Sequence, residues 1–191
     1  MAMNTLKEAY APQRTAGPAT VTIREARPED AAAGITHYRR VFSEPGINLI
    51  TEIDEYSPTV ERDSRYIREM NQANNCVMLL AEVEGQLAGI LTLEGAKRRN
   101  VRHTATLGIT IAEEWRGQGI GRRLIEHAID WARRSHVLTR IELHVFARNV
   151  GAIHLYESCG FVLEGVRRQA VHRDGEYIDD LVMAYLLDEP Q

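Results

Sequence analysis

A chain of 191 residues with 44% hydrophobic and 26% charged residues has the size and make-up of one soluble globular domain, which excludes the disordered and membrane-embedded classes. The formal charge of -4 argues against a dedicated nucleic-acid surface, and no stretch approaches the roughly 18 apolar residues of a membrane span. Two cysteines, Cys76 and Cys159, are too few and too far apart for the disulfide framework of a small secreted protein, so a reducing, cytoplasmic setting is expected.

Residues 1–19 carry Pro12, Gly17 and Pro18 among scattered polar residues without period, and read as a mobile arm ahead of one domain over 20–188. Val21 to Ala26 alternates as a short strand. Pro28 and the acidic Glu29 and Asp30 suit the first turn of a helix that runs to about Phe42. Ser43 to Gly46 stops it, and an irregular acidic segment follows as far as Pro58. Glu61 to Met70 reads as a second helix with Ser57 or Thr59 as N-cap. Cys76 to Val83 and Leu87 to Leu93 are β-rich runs joined by a turn in which Gly85 can supply a positive φ. Thr104 to Ile111 is a third such run. After Gly119, the residues Ile120, Leu124, Ile125, Ala128, Ile129 and Ala132 recur at helical spacing. Ile141 to Val145 is then a strand, Ala152 to Cys159 a helix that Gly160 can close, and Phe161 the start of a further strand. Arg173 to Glu176 turns the chain into a last strand, Tyr177 to Leu187.

The segment Arg116-Gly117-Gln118-Gly119-Ile120-Gly121 stands between a strand and a helix. Glycines there let backbone amides crowd an anion at a helix N-terminus, where unpaired N–H groups and roughly half a positive charge are available. A diphosphate fits; a plain tight turn is the competing reading. A Rossmann fingerprint begun at Gly117 meets Arg122 where its third glycine belongs, and one begun at Gly119 meets Leu124. No Gly-Lys-Ser or Gly-Lys-Thr supports a Walker loop, and none of the seven histidines forms a His-Glu-x-x-His zinc motif. Ser158 lacks the flanking glycines of a nucleophile elbow.

The same six residues match the acetyl-CoA signature Q/R-x-x-G-x-G/A, and Asn149 with Tyr156-Glu157-Ser158-Cys159-Gly160-Phe161 is similar to a second motif of the same family. On these residues the chain resembles the GNAT N-acetyltransferases over about Val21 to Leu187. Gly165 to Arg168, Gly175 to Tyr177 and Asp179 look like the branch of polyamine and ribosomal-protein N-acetyltransferases. The resemblance implies an α/β fold with a mixed, mostly antiparallel sheet flanked by helices on both faces, and a splayed strand pair that admits acetyl-CoA. It implies a bulge in Thr104 to Ile111 and pantetheine pairing with the backbone of Ile109, Thr110 and Ile111. The pyrophosphate would sit on amides from Arg116 through Arg122, Asn149 would hold the pantetheine or order the neighbouring strand, and Tyr156 would face the thioester sulfur as proton donor. Relatives often pair sheet edges in a homodimer, for which Tyr177 to Leu187 would serve.

The reaction so implied is direct acetyl transfer from acetyl-CoA to a primary amine of a small molecule or peptide, with no metal. An alkylammonium with a pKa near ~10.4 must lose a proton, and Glu94, His103, Glu52, Asp54 and Glu55 are the candidate acceptors, unless ordered water serves. The acidic run Glu44, Glu52, Asp54, Glu55, Glu61 and Asp63 favours a cationic acceptor. The alternatives are a noncatalytic acyl-CoA sensor, which the retained Tyr156 disfavours, and a nucleotide-binding oxidoreductase, which the missing third glycine disfavours.

Overall fold

The computed structural model describes residues 20–187; the expected arm at 1–19 and residue 188 lie outside the described residues. Strands β1 (Val21–Glu25), β2 (Val77–Val83), β3 (Gln86–Gly95), β4 (Thr104–Ile111), β5 (Arg140–Phe146), β6 (Val162–Arg173) and β7 (Glu176–Leu186) form one sheet in the order β1-β2-β3-β4-β5-β7-β6. Among the described residues four helices, α1 (Ala31–Phe42), α2 (Val60–Gln72), α3 (Ile120–Ser135) and α4 (Val150–Ser158), cover its two faces. The elements follow the expected order, with a 3-10 turn at Pro28–Asp30 ahead of α1.

Local chemistry accounts for the element ends. Thr59, extended at φ -122°, accepts a hydrogen bond from the Arg62 amide and caps α2. Glu84 and Gly85, at φ 51° and 79°, turn β2 into β3 in the left-handed pair that a two-residue hairpin favours. Gly160, at φ 93°, ends the α4 segment, and a Cβ there would sit 3.0 Å from the Tyr185 ring.

Alternation along the strands sends apolar side chains to both faces, so two cores form. The larger packs α3 and α4 on the sheet through Leu79, Leu91, Leu124, Ile125, Ile141 and Leu143, all buried. The smaller packs α1 and α2 on the other face through Ala31, Ile67, Met70, Met78, Leu80 and Ile90.

Every neighbouring pair in the sheet is antiparallel except β4 and β5, whose parallel ladder holds only at Thr104, Ala105 and Thr106 against Arg140, Ile141 and Glu142. Beyond Thr106 the two strands diverge. The expected bulge in β4 is corrected: its ladder with β3 runs unbroken from Gly95↔Ala105 to Gly89↔Ile111, and the register shifts lie in β2–β3 and β6–β7. The gap opens because β4 and β5 lose each other. A second correction concerns Tyr177 to Leu187, expected at a sheet edge. That strand is β7, flanked by β5 and β6, and the edges are β1 and β6. The reason is burial: β7 carries Ile178, Asp180, Met183 and Ala184 out of solvent, whereas β6 is exposed along most of its length.

Candidate active site

A cavity of about 900 Å³ fills the gap between the diverging strands and continues beneath the segment that joins α1 to α2. Backbone dominates its first half. The Ala112 amide donates to the Ala88 carbonyl at 3.0 Å, so strand alternation also turns the peptide groups of Thr110 toward β3 and those of Ile109 and Ile111 into the gap. The Ile111 carbonyl is already taken by Arg116 Nε at 3.0 Å. Thr110 therefore differs from Ile109 and Ile111: its hydroxyl lies 2.9 Å from Nε2 of the buried His37 and joins α1 to β4. Burial pushes His37 down to about 4, so the ring is neutral near pH 7.

At the end of β4 the chain passes through the glycine turn into α3. Gly117 and Gly119 have φ 72° and 77°, and a Cβ at either would meet nothing within 4 Å, which leaves a concave, open surface. The first helical bond of α3 runs from the Arg123 amide to the Gly119 carbonyl, at 3.2 Å. The amides of Ile120, Gly121 and Arg122 precede it and carry the positive end of the helix dipole. Arg116, Gly117, Gly119, Ile120, Gly121 and Arg122 all line the cavity. Gln118 does not: its side chain donates back to the Glu114 carbonyl at 2.8 Å. Gly121 has a packing role as well, since a Cβ there would lie 2.9 Å from Leu155 of α4. Arg116 is ion-paired with Glu44, which also accepts from the Glu113 amide at 3.0 Å, so the end of α1 is tied to this turn.

Asn149 and Tyr156 come from α4. Asn149 caps that helix, accepting from the Ala152 amide at 3.3 Å, and lines the cavity. Tyr156 is buried among core residues yet reaches the cavity wall, and desolvation pushes its phenol up to about 12, so the proton stays on oxygen near pH 7. Burial likewise pushes the Cys159 thiol up, away from thiolate chemistry, and neither cysteine lines the cavity.

Side chains from separated elements build the other half. His144 on β5, Asp180 on β7 and Arg167 on β6 meet there: His144 Nδ1 lies 2.8 Å from Asp180 Oδ2, and Arg167 Nη1 donates to the same oxygen at 3.1 Å. The α1–α2 segment contributes residues 45–50 as a roof. Arg173 pins that roof by donating from Nη1 to the carbonyls of Ile47 and Leu49 at 3.0 and 2.6 Å, and Arg148 Nε donates to Asn48 at 2.8 Å.

None of the five expected proton acceptors belongs to this wall. His103 is exposed, and its carbonyl serves the Thr139 and Arg140 amides. Glu94 lies in a second cavity, of about 570 Å³ between α1 and α2, where it accepts from the Tyr66 hydroxyl at 2.6 Å. Glu52, Asp54 and Glu55 are exposed beyond the roof. The sequence marks none of His37, His144, Arg167, Arg173 and Asp180 as a site residue, although Arg167 falls in the Gly165 to Arg168 pattern and Arg173 in the last turn. An available signal was Asp180 itself, a carboxylate inside an apolar strand that requires a partner.

A gap edged by free strand amides and ending on a glycine turn at a helix N-terminus is a seat for a ligand with a diphosphate and an extended amide arm. Residues 47–161 match the model described as Acetyltransferase (GNAT) family, and the chain belongs to that family, whose co-substrate is acetyl-CoA. It is 36% identical over 110 residues to the L-amino acid N-acetyltransferase AaaT of Escherichia coli K12, covering 56% of this chain and 65% of that protein. It is 30% identical over 134 residues to the spermidine N(1)-acetyltransferase of Vibrio cholerae, covering 70% of this chain and 76% of that one. Among solved structures, a GNAT-family acetyltransferase from Streptococcus pneumoniae superimposes with a TM-score of 0.84 at 34% identity, over 88% of this chain and 99% of the other. The yncA protein of Salmonella typhimurium, solved with its cofactor acetyl-CoA, shares the fold at 22% identity and a TM-score of 0.79, over 89% and 95% of the two chains.

Proposed function

We propose that residues 20–188 act as one acetyltransferase domain that moves the acetyl group of acetyl-CoA directly to the primary amine of a small acceptor carrying an acidic group, with α-amino acids as the substrate class. Arg167 carries this reading. Its guanidinium lines the side-chain half of the cavity with 57% of the side chain exposed, while Asp180, the carboxylate beside it, is 6% exposed and already accepts from two partners. Among the described residues Asp180 is the one carboxylate in that wall, so an acceptor's anion meets a cation there and its ammonium meets no free acid from them. The name of the AaaT relative, an L-amino acid N-acetyltransferase, points the same way.

On this reading the amides of Ile109 and Ile111 hold the extended arm of the donor. The glycine turn and the amides of residues 120–122 hold its diphosphate, and the Asn149 side chain orders the start of α4 beside it. Tyr156 protonates the departing thiolate, a role suited to a phenol kept neutral by burial. The cationic acceptor suggested by the acidic segment is the competing substrate class, supported by the spermidine-acetylating relative and weakened by the place of Glu52, Asp54 and Glu55 outside the wall. A screen of amino acids, polyamines and basic peptides with acetyl-CoA, read as free thiol, separates the two. Amino acids should be acetylated best, and Arg167→Gln should raise their KM at least tenfold without changing acetyl-CoA affinity. Preference for polyamines, with KM indifferent to Arg167→Gln, would overturn the acceptor class. Acetyl-CoA binding without turnover of any amine would favour the noncatalytic sensor.

A further inference from the structure

We infer that His144 is the group that takes the proton from the acceptor's ammonium, and that Asp180 positions it by fixing its tautomer. The inference rests on the amine acetylation proposed above and names a residue for its unassigned step.

The dyad sits where the reaction needs it. Ile141, Leu143 and Val145 of β5 turn into the larger core, so His144 turns to the opposite face, and it lies two residues beyond Glu142, the last β5 residue paired with β4. Continuing that parallel register by two residues sets Gly108 across the gap from His144, and a residue without a side chain leaves the space before the imidazole open. The ring is 40% exposed within the cavity, whereas the Asp180 side chain is 6% exposed.

The hydrogen bonds select the tautomer. Nδ1 has two neighbours, Asp180 Oδ2 at 2.8 Å and Arg167 Nη1 at 3.2 Å. A proton on Nδ1 makes a charge-assisted bond to the carboxylate at the shorter distance; a bare Nδ1 would give that up for the longer contact to a guanidinium already committed to Asp180. Nδ1 therefore carries the hydrogen, and the lone pair stands on Nε2. The charged neighbours on each adjoining element are otherwise engaged. Glu142 on β5 is bound by Arg140 at 3.2 Å, Arg148 donates to Asn48 in the roof, and Arg173 of β6 holds the roof carbonyls. His37, across on α1, is held at Thr110.

The proton count closes without another reactant. The ammonium gives one proton to His144 Nε2, which passes it to solvent, and the freed amine forms the N–C bond to the thioester carbonyl carbon. As the C–S bond breaks, the thiolate takes the Tyr156 proton, and the phenolate is restored by the second proton of the new amide nitrogen. The amide keeps one hydrogen, and one proton leaves in total.

The test compares wild type, His144→Gln and Asp180→Asn in the full chain, with calorimetry of acetyl-CoA binding, pH profiles of kcat/KM, and two acceptors: the best amine and hydroxylamine, which is already unprotonated at neutral pH. His144→Gln should bind acetyl-CoA as wild type does and lose about 10²-fold in kcat/KM for the amine together with the acid limb of the profile. It should lose less than threefold with hydroxylamine. Asp180→Asn should fall about tenfold for the amine, since it can pair with either tautomer. If His144→Gln stays within threefold of wild type with its acid limb intact, or loses hydroxylamine and amine activity equally, His144 is no proton acceptor. In both cases wild-type turnover stands and the acetyltransferase reading survives; a wild type that acetylates no amine sinks both.

Discussion

The two halves of the large cavity are built from different materials. The half along β4 and the glycine turn uses peptide groups, which every residue has, and needs side chains mainly to be absent, as at Gly117 and Gly119. The half beneath the roof uses imidazole, carboxylate and guanidinium groups from β5, β6 and β7, spread over His144 to Asp180 in the chain and joined only by the register of three strands. A surface made of backbone can be shared by relatives with different acceptors, while one made of side chains can be retuned by a few substitutions.

The largest effect should come from the joint between the halves. His37 of α1 is buried neutral against Thr110 of β4. With its folded pKa depressed to about 4 from an ordinary 6.5, the unfolded chain binds more protons between those values, and stability falls as pH drops through that window. The loss should approach roughly 3 kcal/mol, and denaturant titrations of His37→Gln should lack this part of the slope. Equal pH slopes in variant and wild type would show that the joint is not what acid breaks. Next, Tyr156→Phe should lower kcat about 10²-fold with acetyl-CoA affinity nearly intact, because the phenol is needed as its proton moves and not for binding. Unaffected turnover would reduce Tyr156 to a packing residue.

Gly119→Glu should weaken acetyl-CoA binding at least tenfold, about 1.4 kcal/mol by calorimetry, by placing a carboxylate and a strained positive φ in the backbone half. An unchanged Kd in a folded variant would remove the diphosphate from that turn. The smallest effect should follow from the roof. Arg173→Gln frees the Ile47 and Leu49 carbonyls and should raise the acceptor KM about threefold to fivefold while leaving the donor Kd alone, as the loss of two hydrogen bonds that water can largely replace would. A change in donor Kd instead would mean that the halves are coupled through the roof.

The backbone half was legible in the sequence because its determinants are contiguous. Arg116 to Gly121 announces its turn by glycine alone, and Tyr156 stands on one short helix just ahead of Gly160-Phe161. The side-chain half was not, because His144, Arg167 and Asp180 have meaning only once β7 lies between β5 and β6. A hairpin can dock by either strand. That β7 goes inside follows from burial along its length, and placing Tyr177 to Leu187 at an edge hid Asp180 as a surface charge. The proton-acceptor candidates failed for a related reason: Glu94 pairs with Thr106 at the closed end of the gap and lines the second cavity beside Tyr66, a placement that antiparallel pairing sets and that sequence spacing does not reveal. Acidity concentrated at 52–55 lies on an exposed turn, with Glu55 accepting from the Glu52 amide at 3.0 Å and the Glu52 carboxylate 3.7 Å from Arg173 Nε. The branch of β4 away from β5 was expected, whereas the bulge expected in β4 is absent, its ladder with β3 being unbroken.

Three register pairs hold β4 to β5, and among the described residues they are the whole strand ladder between β1 to β4 on one side and β5 to β7 on the other. A sheet is stiff where its ladder is continuous and compliant where the ladder stops. An extended amide chain lying in the gap would take up the unpaired edge of β4 as a further strand takes up an edge, so the donor would splint the protein while being held by it. Amide hydrogen exchange at Ile109 is where that splint would be felt first, and the two half-sheets would flex less against each other for as long as the donor stayed bound.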